Sequence, residues 1–172
     1  MYETLFQLIR PFAEWLHATK LSYIISGGWP WVWPACQTLH LMGLTLLVGC
    51  VGVFDLRVLG LAKGLAPGPL QRLLPWAVVG FCINLTTGCL FLIGNPFQYL
   101  HNAAFGFKML FIALAGINVL LYYVTGLQRR VDEIGPGQDA PGGAKVIAAV
   151  SLLLWVGVIY CGRMLPFLGN SF

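Results

Sequence analysis

His40 and His101 are the residues whose type and spacing could do chemistry. His40 follows Pro34 by six positions, and His101 follows Pro96 by five. Proline suits the first turn of a helix, and each histidine leads into a long apolar run. Six residues cover about 9 Å of helix. The two runs should cross a membrane in the same direction, which puts both imidazoles at similar depth near one face. An ionisable residue inside a bilayer marks a functional site by default. Two at matched depth suit the axial positions of a haem iron gripped between helices of a bundle. The plainer alternative is one His bonded to a backbone carbonyl and one His among the headgroups.

Other polar residues gather on the same side. His17 lies at the edge of an apolar stripe near the N-terminus and could replace His101 as an axial ligand or bond a propionate. Lys108 is seven residues after His101, on the same face if one helix carries both. It can pair with a propionate or an anionic substrate, or snorkel to the headgroups. Arg163 can neutralise a propionate or a lipid phosphate. Met42, Cys161 and Met164 offer soft sulfur for Cu(I), but there is no MxxM or CxxC cluster. Asp55 and Arg57, at the far end of the same run as His40, read as an ion pair or topology anchor. Asn84, Thr86 and Thr87 read as donors of interhelical hydrogen bonds, and Gly43, Gly49, Gly52 and Gly88 as points of close approach.

The elements that must position these residues are transmembrane. The chain has 172 residues, 58% hydrophobic and 9% charged, against about 25% charged in soluble domains. Mean hydropathy is +0.79. The fold class expected is all-α integral membrane: a four-helix transmembrane bundle preceded by an N-terminal interfacial amphipathic helix. The whole chain, 1–172, forms a single membrane domain with spans at 34–61, 74–93, 96–127 and 144–165. Each is at least about 20 residues, enough to cross hydrocarbon. The connections contain breakers: Lys63 to Pro69, then Gly94-Asn95-Pro96 with Asn95 as cap, then the polar stretch from Arg129 to Gly143, expected to be the most mobile.

Residues 1–30 form the interfacial helix and an aromatic belt. Leu5, Leu8, Ile9, Phe12, Trp15 and Leu16 follow helical spacing, with Glu3, Arg10 and Glu14 on the polar side and a kink expected near Pro11. Trp29, Trp31 and Trp33 suit a bilayer boundary. The N-terminus does not read as a cleaved signal peptide. Net charge is +4. No basic patch with interleaved aromatics points to nucleic acid. Arg57, Lys63, Arg72, Arg129, Arg130 and Lys145 place the two long connections in the cytoplasm by the positive-inside rule. Both termini, the histidines, Lys108 and Arg163 then face the periplasm of a bacterial inner membrane. The five cysteines form no CxxC pair; Cys36 and Cys161 share one membrane face, where a disulfide is geometrically open.

Two resemblances add to this. The run His40-Leu-Met-Gly43, Gly49, Asp55-Leu-Arg57 and Gly60, with Asn95-Pro96, Phe105 and Lys108, resembles a family of small bacterial four-span inner-membrane proteins of unassigned function. It covers roughly residues 30 to 110 and implies four spans. More distantly, a His early in one span and a Lys in a later one is similar to the membrane-bound protoporphyrinogen oxidase family, which is associated with haem. The surrounding residues do not follow that family.

The leading functional expectation is a b-type cytochrome: haem b held by His40 and His101, with electrons passing between the quinone pool and a periplasmic redox protein. The rivals are an oxidoreductase acting on a porphyrin or quinone, a copper-handling protein, and a non-catalytic accessory subunit. The lipid bilayer is the certain partner, and an oligomer is compatible with the sequence.

Overall fold

The computed structural model describes residues 2–168, and side chains from residue 7 onward. Met1 and residues 169–172 lie outside the described residues, as do the side chains of Glu3 and Leu5, two of the positions assigned to the N-terminal helix. Among the described residues the chain is helical, with no strand. Four helices are long and apolar enough to cross a membrane. They are α3 (Val32–Leu59), α5 (Leu74–Gly94), α7 (Ala103–Val124) and α9 (Gly142–Leu168). At 22 residues, α7 is about 33 Å long, the thickness of the hydrocarbon.

Preceding the bundle are α1 (Tyr2–His17), α2 (Lys20–Tyr23) and a wide helical turn, Ile24–Gly28. α1 runs through Pro11 as one helix. It turns Ala13 and Leu16 inward and leaves Leu8, Phe12 and Trp15 exposed. Arg10 and Glu14 pair at 2.9 Å on its surface. An amphipathic helix with an uncovered apolar stripe lies in a bilayer interface. The short helices are α4 (Pro67–Leu70), α6 (Pro96–Leu100) and α8 (Leu127–Asp132).

The spans pack in the order α5–α3–α9–α7. Without a hydrophobic effect between helices in lipid, close backbone approach must hold them. At the α3–α5 seam, a β-carbon on Gly80 would sit 2.7 Å from the Gly43 carbonyl and the Leu47 nitrogen. On α9, Gly157 lies under the Phe111 ring of α7. Of the glycines expected at contacts, Gly43 is at one, whereas Gly49 and Gly52 face open space.

Asparagine fixes α7 against α9 at two levels. Asn102 Nδ2 donates to the Leu165 carbonyl at 2.8 Å, and Asn118 Nδ2 to the Ile147 carbonyl at 3.0 Å. Asn102 Oδ1 also accepts from the Ala104 amide and caps α7. That cap breaks the helix expected to run from Pro96, so the third span begins at Ala103. An Asn side chain competes for backbone donors and favours a helix start over a helix interior. Asn95 is the N-cap residue of α6, as expected, but its side chain bonds Gln98 and no backbone amide.

The connection after α7 is not the loose stretch expected from its polarity. Val131 and Ile134 are buried with Phe54, Val58 and Tyr122. Arg57, 1% exposed, does not pair with Asp55. Its Nε donates to the Leu65 carbonyl, and Nη2 reaches the carbonyls of Lys63 and Gln138. Asp139 accepts from Lys63 at 2.9 Å and Lys145 at 3.0 Å. One buried guanidinium and one carboxylate thereby tie both long connections to α3 and α9.

Three outcomes follow from this packing. Gly80→Ala should lower the thermal midpoint in detergent, at about 1–3 kcal/mol for overpacking, while Gly49→Ala leaves it unchanged. Arg57→Leu strands three loop carbonyls and should cost about 1–3 kcal/mol in the same measurement. Lys63, then Lys145, hold the Asp139 carboxyl below the usual carboxylate range. Its stabilising contribution is therefore present above the ordinary value of about 3.9 and is lost as pH falls through the lower folded-state value. A carboxyl NMR titration should place the Asp139 midpoint below that ordinary value and show it rise in Lys63→Ala.

Candidate functional site

His40 lies six residues into α3 from Pro34, half-buried against α5. Its Nδ1 is 2.7 Å from Thr87 Oγ1, and its ring stands 5.3 Å from that of Phe91. A β-carbon on Gly88 would lie 3.9 Å from Cε1, an ordinary van der Waals contact, so the approach does not depend on that glycine. Thr87 Oγ1 also donates to the Ile83 carbonyl at 2.7 Å. A hydroxyl has one proton. With that proton given to Ile83, Thr87 can only accept from the imidazole. Nδ1 therefore carries the proton, and Nε2 presents a lone pair. This is the arrangement by which an outer partner orients a metal-binding or hydrogen-bond-accepting histidine. Thr87 had been expected to make an interhelical bond and does so; Asn84 and Thr86 bond carbonyls of their own helix instead.

The other candidates surround this end of the bundle at different depths. His101 is half-buried in the turn between α6 and α7. It therefore does not share a helix face with Lys108, contrary to the seven-residue spacing. Lys108 is half-buried on α7, and its Nζ would lie 3.8 Å from a β-carbon on Gly162. It is within electrostatic reach of His40 and Cys161. His17 is exposed at the end of α1, its ring 5.7 Å from Phe97 of α6 in an edge-on contact. Arg163 is exposed, its guanidinium over the Phe167 ring at 5.6 Å. His40 and Lys108 are thus half-buried on different spans, whereas His17 and Arg163 are exposed.

The sulfur atoms do not converge. Met42 is 61% exposed, and all five cysteines are free thiols, Cys36 and Cys161 included. Among the described residues, no group of three or more His, Cys, Asp or Glu is placed to hold a metal ion. A bis-imidazole haem would require only two.

A second polar group escaped the reading of the sequence. In the half of the bundle nearest the long connections, only Asp55 and Arg57 had been singled out, as an ion pair or topology anchor. Instead Asp55, Asn118, Tyr122 and Ser151 line one cavity there, between all four spans. Asn118 and Tyr122, four apart, share one face of α7, but Asp55 and Ser151 lie on other spans, so sequence spacing does not bring the group together. Only the rarity of an acid within a span could have marked Asp55.

Four long apolar helices, two internal polar groups and an amphipathic leader make this a multi-pass all-α membrane protein. A family model matches residues 12–168, and the chain belongs to that family, described as a family of unknown function (DUF6644). No curated protein and no solved structure matches it.

The Thr87 relay has a direct test. Nitrogen NMR of selectively labelled histidine should show His40 as the Nδ1–H tautomer. In Thr87→Val the acceptor is gone, and the tautomers should mix.

Proposed function

We propose that the protein is a b-type haem-binding membrane protein of the bacterial inner membrane. It carries electrons between the quinone pool and a periplasmic redox partner. The observation that carries this reading is the 2.7 Å contact between His40 Nδ1 and Thr87 Oγ1, an arrangement that favours a lone pair on Nε2. His40 would hold the haem iron. His101 or His17 supplies the second imidazole, and Lys108 and Arg163 offer cations for the propionates. Haem b supplies one-electron chemistry; the protein's part is ligand basicity, orientation and charge. Thr87 would raise the basicity of Nε2, a contribution worth about 10–100-fold in metal affinity where such partners are removed.

The orientation proposed puts both termini and the histidines on the periplasmic side. Arg72, Arg129 and Arg130 are exposed at the other end, as the positive-inside rule asks of cytoplasmic connections.

One observation favours a second reading, a porphyrin- or quinone-modifying oxidoreductase. His40 and Lys108 come from different spans yet lie within electrostatic reach, the pairing on which the likeness to the membrane-bound protoporphyrinogen oxidases rested. In that case Lys108 would bind a substrate carboxylate.

Absorption spectroscopy of the full chain, purified from haem-replete membranes, tests the first reading. A Soret band is expected, lost in His40→Ala and converted to a high-spin form in the variant of the second ligand, His101→Ala or His17→Ala. A protein that stays colourless after haem reconstitution, or a Soret band indifferent to His40→Ala, overturns it. Under the second reading, Lys108→Ala abolishes turnover and leaves any haem spectrum in place.

A further inference from the structure

The cavity at the connection end has a volume of about 370 Å³, within the range of small-molecule sites. α3 and α9 form its back, and residues of α5 and α7 face each other across it. The α5–α7 side is the one that helix packing does not close to a comparable degree. A molecule dissolved in the lipid could enter there without crossing the bundle.

Its polar groups are few and under-bonded. Asp55 is 5% exposed, and its Oδ2 has no hydrogen-bond partner; nor does the hydroxyl of buried Tyr122. Ser151 lies beside the Asp55 carboxyl, and Asn118 spends its amide on the Ile147 carbonyl. Among the described residues no cation of the chain pairs with Asp55: the Arg57 guanidinium turns to the loop carbonyls, and Lys63 and Lys145 to Asp139. A carboxylate in a low-dielectric site is costly without a positive partner. Phe54, Phe81 and Trp155 supply aromatic wall, which favours an organic cation over a hydrated metal ion.

We propose that this cavity binds a lipophilic organic ammonium ion, entering from the bilayer between α5 and α7, with its N–H donors held by Asp55 Oδ2 and the Tyr122 hydroxyl. The apolar part of the ligand lies along the aromatic wall. While Asp55 is ionised, a neutral ring with only acceptors leaves it unpaired, and an anion is repelled by it. The site does not depend on haem binding, because His40 and Asp55 are fifteen residues apart on α3, about 22 Å of helix.

Isothermal titration of the full chain in a non-ionic detergent tests this with 4-phenylbutylammonium, its neutral alcohol analogue and menadione. The ammonium ion is expected to bind at least about 10-fold more tightly than the alcohol, the scale of a buried charge pair. In Asp55→Asn that preference should vanish, with alcohol binding unchanged. The comparison on the unmodified protein stands even where Asp55→Asn does not fold. Equal binding of ammonium and alcohol overturns the proposal, as does preference for menadione, or an ammonium preference that survives in folded Asp55→Asn.

Discussion

In hydrocarbon no water is at hand to satisfy a polar group, and this constraint sorts nearly every polar residue of the bundle. Asn102 and Asn118 give their amides to carbonyls of α9 and in doing so align α7. Thr86 returns its hydroxyl to its own helix. Arg57 is buried because three carbonyls from two connections surround it. Among the described residues five buried side-chain atoms have no partner, Ser22 Oγ, Asp55 Oδ2, Arg57 Nη1, Gln71 Nε2 and the Tyr122 hydroxyl, and of these residues only Asp55 and Tyr122 line the cavity. His40 differs again. It is satisfied at Nδ1 in a way that commits Nε2 to accept. The same accounting therefore separates residues that build the bundle from residues that equip it.

The spans were legible because length and apolar continuity are enough to identify a membrane helix. Their edges were less so. α3 begins at Val32, two residues before Pro34, and α7 begins at Ala103 because Asn102 ends the preceding turn with its side chain. A proline signals where a helix can start. It does not reveal that an asparagine six residues later will start it again. The connection from Arg129 to Gly143 packs more closely than its composition suggests for a related reason. Its composition is polar, but Val131 and Ile134, three apart, face the core together. Three buried apolar side chains, Val131, Ile134 and Ala140, and the Arg57 contacts outweigh the exposed polar neighbours.

The candidate site was legible one residue at a time and not as an assembly. His40 stood out because a histidine in an apolar run is rare, and Thr87 because an interhelical bond was expected of it. That the two meet across 47 positions depends on α3 and α5 being neighbours, which the glycine seam at Gly43 and Gly80 decides. His101 was placed on a helix that the Asn102 cap cuts short. The Asp55 cavity depends on helix order as well: α3 and α9 must be adjacent for Ser151 to reach Asp55, and α5 must face α7 for the cavity to have walls. Sequence periodicity carries none of this.

The two polar groups sit at opposite ends of one helix, and α3 is the element that touches both flanking partners, α5 and α9. His40 meets α5 through Thr87, while Asp55 meets α9 at Ser151. Between them lies the Gly43–Gly80 contact, where backbone approaches so closely that even a methyl group would force a shift. Such a seam resists sliding, because displacement of α3 along α5 would drive side chains into those glycines. α3 is better regarded as a fixed post that presents a basic nitrogen at one end and an acidic oxygen at the other. Movement, if the cavity is to admit a ligand, must then come from the α5–α7 side, where no comparable contact joins the helices. The rigid seam would keep His40 in register with Thr87 while that side opens.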